Sequence, residues 1–215
     1  VNAIIENFPA FVDAFLKTLQ LLVISGIGAL VLGVLVAAMR ISPVPALRGF
    51  ATVYTEILRN TPLTLVLFFC ASVLPQLTIR LDYTVAAIIG LTFYTSPFVA
   101  EAIRSGVNGV PLGQAEAARA IGLGFGQTVS LVVLPQAIRM VIPPLINVLI
   151  ALTKNTSVAA GFSVIELVAV SRQVIQLNGN ATITILAAVA AFYLVITVPL
   201  GQAAGYLERR VAVRR

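Results

Sequence analysis

Histidine is absent from this sequence, which removes the commonest metal ligand, general base and proton relay. Cysteine is nearly absent. Cys70 is the one thiol, it lies inside an apolar run, and no disulfide can close within the chain. Charge is scarce: Asp, Glu, Lys and Arg make up 10% of 215 residues, where a soluble domain carries about 25%. A surface so poor in charge does not stay in water, so lipid is the solvent for much of the chain. No phosphate-cradling loop of the G-x-x-x-x-G-K-[ST] kind is present, because neither Lys17 nor Lys154 follows a glycine. Any ATP hydrolysis that drives this protein therefore comes from another chain. Strong β-alternation, low-complexity segments and convincing internal repeats are missing as well.

What is present is a series of long uncharged runs. Thr18 to Met39 is 22 residues without a charge, Asn60 to Ile79 is 20, and Tyr83 to Ala100 is 18. At about 1.5 Å per residue each is near the length that crosses a roughly 30 Å hydrocarbon core. The expected fold class is an all-α membrane protein, one domain over 1–215. About five transmembrane helices are expected near 15–39, 56–75, 83–103, 140–165 and 181–207. Small residues Gly26, Gly28, Ala29 and Gly33 suit a close helix neighbour in the first, and Gly201 and Gly205 in the last. Arg40, Pro43, Pro45 and Arg48 read as a basic, proline-broken loop. Pro75 should end the second helix, Pro97 should kink the third, and Pro143-Pro144 suit the start of a fourth. The fourth is interrupted at Lys154-Asn155-Thr156-Ser157. Residues 166–180 are polar enough to lie outside the hydrocarbon.

The net charge is +6, but the basic residues are scattered between apolar runs and fit membrane topology rather than nucleic acid. Placing the C-terminus in the cytoplasm puts Arg40, Arg48, Arg104, Arg119, Arg139, Arg209, Arg210, Arg214 and Arg215 inside, against Lys17, Arg80 and Arg172 outside. The N-terminus is then outside. Glu6 and Asp13 stand before the first apolar run, where a cleaved signal would be positive.

The longest polar, glycine-punctuated segment is residues 104–135, cytoplasmic in this topology. Its alanines, Ala115 to Ala120, form a short helix, with Gly122 placed for a left-handed cap. A second short helix over 127–134 should stop at Pro135. Glu116 lies three residues from Arg119 on one side, as an anchor for a docking partner or as half of an internal ion pair. The basic footprint of a DNA reader is missing.

Glu116-Ala117-Ala118-x-x-x-Gly122, nine residues, then Val132-x-Leu134-Pro135 resembles the EAA loop of the membrane subunits of bacterial ATP-binding-cassette importers. The family usually has isoleucine where Val132 stands. Arg59 to Leu63, Tyr94 to Glu101 and Ala151 to Ser157 resemble the permeases for polar amino acids, above all the glutamate type. The resemblance covers nearly the whole chain. It implies a type I importer in the bacterial inner membrane. Two ATPase subunits, holding the ATP and Mg that this chain does not bind, would dock on Glu116, Ala117, Ala118, Arg119, Gly122, Leu134 and Pro135. A second permease subunit, identical or paralogous, would complete the pathway, and an extracytoplasmic binding protein would deliver the amino acid, glutamate or a close relative.

Lys154, Asn155, Thr156 and Ser157 are candidate solute contacts, because an ionisable group inside an apolar helix is costly unless it faces protein or water. The competing reading pairs Lys154 with Glu101 or Glu166. Thr61 and Ser96, beside prolines, are further pathway candidates. Glu56 with Arg59, and Glu101 with Arg104, are helix-end ion pairs or an inner gate. An ion-coupled secondary transporter or channel is the alternative function. It is disfavoured by the missing histidine, the few embedded carboxylates and the small odd helix number. A membrane scaffold is a third.

Overall fold

The computed structural model describes residues 2–212. Val1 and the tail arginines Arg214 and Arg215 lie outside the described residues. Among the described residues every regular element is helical. The order is α1 (Asn2–Glu6), α2 (Phe8–Ile41), α3 (Pro45–Asn60), α4 (Leu63–Gln76), α5 (Tyr83–Asn108), α6 (Leu112–Ala120), α7 (Phe125–Phe162), α8 (Leu167–Leu177) and α9 (Thr182–Ala212). Four of these, α2, α5, α7 and α9, are long and apolar enough to cross a membrane, and the bent pair α3–α4 makes a fifth if counted as one span.

Proline placement accounts for most differences from the expected elements. Pro45 does not belong to a broken loop; it opens α3 from its first turn, where a missing N–H costs nothing. The expected span 56–75 instead straddles a 101° bend between α3 and α4, at Thr61-Pro62. Pro135 does not stop a helix, and Pro143 and Pro144 do not start one. All three lie within the single run of α7. A π-helical stretch, Thr128–Val133, ends two residues before Pro135, and another, Phe69–Val73, two residues before Pro75. A proline ring clashes with the carbonyl four residues back, and a wider turn makes room for it. Pro97 likewise stays inside α5. The Phe93 carbonyl that it cannot reach accepts from the Ser96 hydroxyl at 3.1 Å.

α2 lies along α5, and the two approach closely at Gly33. A Cβ there would stand 2.8 Å from the Ser96 carbonyl oxygen, so only glycine fits. Gly106 near the end of α5 is pressed on α7 in the same way: a Cβ would meet the Val141 side chain and stand 3.1 Å from its backbone nitrogen. Gly201 and Gly205 have no such neighbour; the nearest atoms to a Cβ are Ile150 Cδ1 and the Arg209 guanidinium, each at 3.9 Å.

One core cluster joins Leu21 and Leu22, Leu63 and Leu67, Leu91, Leu152 and Val164, binding α2, α4, α5 and α7. A second joins Phe11 and Ala14 to Leu167, Val170, Val174, Ile185 and Val189. That cluster shows that 166–180 is more than a polar loop. α8 is amphipathic and wedges its apolar face between α2 and α9.

Candidate functional site

The expected EAA loop forms a hairpin of α6 and the start of α7 at one end of the bundle. Gly122 has φ 91°, and Leu123 N–H donates to the Ala118 carbonyl at 3.1 Å, which closes α6 with a left-handed cap. Ala118 turns inward and is buried, while Glu116, Ala117, Arg119, Gly122, Leu134 and Pro135 are exposed. Glu116 and Arg119 do not form an ion pair; among the described residues every ion pair involves Glu101. Three large apolar side chains flank α6 and stand in the open: Leu112 81%, Ile121 81% and Phe125 78% exposed.

Glu101 is a hub rather than one half of a helix-end pair. Arg40 Nη1 of α2 donates to its Oε2 at 2.6 Å, and Arg104 donates to its Oε1 from Nε at 3.1 Å and from Nη2. Arg59 at the end of α3 reaches only to 3.8 Å. The expected Glu56–Arg59 pair is not made: Glu56 accepts from Asn60 at 3.4 Å, and Arg59 turns away to Glu101 and the Phe98 ring, 5.8 Å from its centroid.

Adjacent residues of α7 open onto different spaces. Asn155 lines a cavity of about 400 Å³ between α5 and α7, with Tyr94, Thr95 and Phe98 on one wall and Asn147, Val148, Ala151 and Leu152 on the other. Lys154, one residue earlier and so about 100° round the helix, faces a separate groove with Ile150, Ala190, Tyr193, Leu194, Thr197 and Val198. It pairs with neither Glu101 nor Glu166. Thr156 is buried and donates to the Thr153 carbonyl at 2.7 Å, and Ser157 donates to the Lys154 carbonyl at 2.7 Å. Thr61 donates to the Ile57 carbonyl at 2.7 Å. Ser96 is buried between helices, 2.6 Å from the Tyr54 hydroxyl.

The residue that sequence reasoning passed over is Thr95. It is 3% exposed, it lines the α5–α7 cavity, and its hydroxyl has no hydrogen-bond partner among the described residues. A buried orphan hydroxyl is costly, and Thr128 is a second one, away from the cavity. The Tyr94-Thr95-Ser96-Pro97 stretch held the signal, but only the rotational phase of α5 separates Thr95 from Ser96.

Glu166, at the opposite end from α6, is fully buried and caps α8. Its Oε1 accepts from Val168 and Ala169 N–H at 2.8 and 2.9 Å, and its Oε2 from the Tyr193 hydroxyl at 2.9 Å. Burial pushes the carboxyl above the usual carboxylate range, and these donors pull it partly back.

Comparisons with known proteins agree with this architecture. The family of binding-protein-dependent transport system inner membrane components matches residues 29–213. The glutamate transport system permease protein GluC of Corynebacterium glutamicum is 41% identical, over 96% of this chain and 96% of its own length. The probable glutamine ABC transporter permease protein GlnM of Bacillus subtilis is 40% identical, over 98% and 97%. The structure superposes on the crystal structure of an amino acid ABC transporter with histidines at TM-score 0.89, with 26% identity over 96% of each chain. An ion-coupled carrier is thereby set aside. The chain belongs to the binding-protein-dependent transport system inner membrane components, as a multi-pass permease subunit of an ATP-binding-cassette importer for amino acids.

Proposed function

We propose that this permease moves glutamate or a close relative such as glutamine into the cytoplasm by alternating access, energised by two ATPase subunits docked on α6. The observation that carries the docking is the α6 hairpin. Leu112, Ile121 and Phe125 are bared around the exposed Glu116 at one end of the bundle. An apolar patch rimmed by charge at a polar end marks a protein contact. On the charge bias of the loops this end is cytoplasmic, with the N-terminus outside and the C-terminus inside.

The solute reading rests on the α5–α7 cavity. Asn155 from the candidate set, together with Thr95 and Asn147, offers hydrogen bonds, and Tyr94 and Phe98 offer apolar faces. The glutamate and glutamine assignments in the names of the relatives support a short polar side chain. A second permease subunit, identical or paralogous, and an extracytoplasmic binding protein complete the assembly. Lys154, in its own groove, stays a candidate for the interface or a wider pathway, and the Glu101 hub for an inner gate.

The test is Glu116→Lys in proteoliposomes holding the whole transporter. Uptake should fall about tenfold or more, the loss typical of a central interface contact. The helices should still insert, and ATP should be hydrolysed without transport or the ATPase should fail to co-purify. Wild-type coupled uptake in that variant would refute docking through α6.

A further inference from the structure

We propose that Arg59 takes the α-carboxylate of the transported amino acid while the amino acid's side chain enters the uncharged α5–α7 cavity. The proposal rests on the reading of that cavity as a solute site. Its first support is the unequal grip of Glu101 on its three arginines. Arg40 holds Oε2 at 2.6 Å and Arg104 holds Oε1 through two nitrogens, whereas Arg59 Nη1 stands 3.8 Å away, beyond hydrogen-bond reach. One carboxylate thus faces three guanidiniums, two positive charges remain uncompensated, and Arg59 is the most weakly committed.

The second support is position. The Arg59 guanidinium lies 5.8 Å from the centroid of the Phe98 ring, and Phe98 is part of the cavity wall. Its side chain is 38% exposed, the highest of the three. It stands one residue before the end of α3, beside the 101° bend, where the backbone is not held by a following helical turn.

The third is what the cavity lacks. Its lining holds two amides, the Tyr94 phenol and the unpartnered Thr95 hydroxyl, and no charged side chain. An amino acid carries an α-carboxylate whatever its side chain, and taking that charge out of water without a cation is costly. A guanidinium presents a planar pair of donors to a carboxylate. Lys154 opens onto the other groove.

The experiment measures binding of radiolabelled L-glutamine and L-glutamate to the permease–ATPase complex in lipid nanodiscs, with competition by the α-amide of each. The wild type should prefer the free acid over the α-amide by about 10- to 100-fold, the worth of a charge-assisted pair. Arg59→Gln should lose most of that preference and Arg59→Lys should keep part of it. Thr95→Val and Asn155→Leu should weaken acid and α-amide alike and leave the preference intact. If Arg59→Gln keeps the wild-type preference, whether or not overall affinity drops, the Arg59 assignment fails. If Thr95→Val and Asn155→Leu bind as the wild type does, or the wild type shows no saturable binding, the cavity reading fails instead.

Discussion

Glu101 and Glu166 are the two carboxylates drawn into the bundle, and they are neutralised in opposite ways. Glu101 sits among three arginines from α2, α3 and α5 and is still a quarter exposed. Glu166 is fully buried, touches no cation, and is satisfied by two backbone amides and a phenol. The first arrangement is held by charge and has a surplus of it, so one partner can leave without stranding the carboxylate. The second is held by fixed dipoles with no spare donor, so it suits an anchor. One end of the bundle therefore holds its carboxylate with surplus charge and the other with fixed donors.

The largest way to break this contrast is Glu101→Ala. It removes the shared counter-charge from three arginines, of which Arg40 is 14% exposed. The cost should be roughly 2–4 kcal/mol, reduced from a fully buried pair by solvent screening. It would be read as a fall in the melting temperature of the purified complex, and an unchanged value would mean that the hub does not hold α2, α3 and α5 together. Glu166→Ala should come next, at about 2 kcal/mol, because it orphans the first amides of α8 and the Tyr193 hydroxyl. The expected local sign is faster hydrogen exchange across Leu167–Leu177, and protection equal to the wild type would remove the anchor role. The smallest effect sharpens the difference in kind. Raising salt from about 50 mM to about 1 M should shrink the stability gap between wild type and Glu101→Gln while leaving the Glu166→Gln gap nearly flat. Equal salt responses would show that the two sites are held by the same forces.

Much of the architecture was legible in the residues, for identifiable reasons. Uncharged length located α2, α5 and α9, because hydrocarbon solvation needs no knowledge of contacts. The alanine run and Gly122 located α6 and its cap, because both are local preferences. Proline was where local reading failed. Pro135, Pro143 and Pro144 look like breakers, yet α7 runs through them, with a π-helical stretch before the first. Whether a helix breaks or absorbs a proline is decided by neighbours that the sequence does not display. For the candidate solute contacts, the sequence did not show which side chains share a cavity. Asn155 fell in the cavity and Lys154 outside it, and Ser96 was structural while Thr95 lines the cavity. Helix phase decides each case, and phase is set by packing. The link from Glu166 to Tyr193 joins residues 27 apart in sequence and has no local signature.

The contact between Gly106 and Val141 has a mechanical consequence. It clamps α5 to α7 just inside the α6 hairpin, while Thr95 lies eleven residues further along α5, about 16 Å away at 1.5 Å per residue. Were α5 to rock on α7, with the Leu91 and Leu152 cluster yielding, this contact would be the pivot. A rocking of about 10° about that point would change the gap at Thr95 by roughly 3 Å, close to the length of one hydrogen bond. On the proposed docking, a small push on α6 would then be felt at Thr95 as the making or losing of one hydrogen bond.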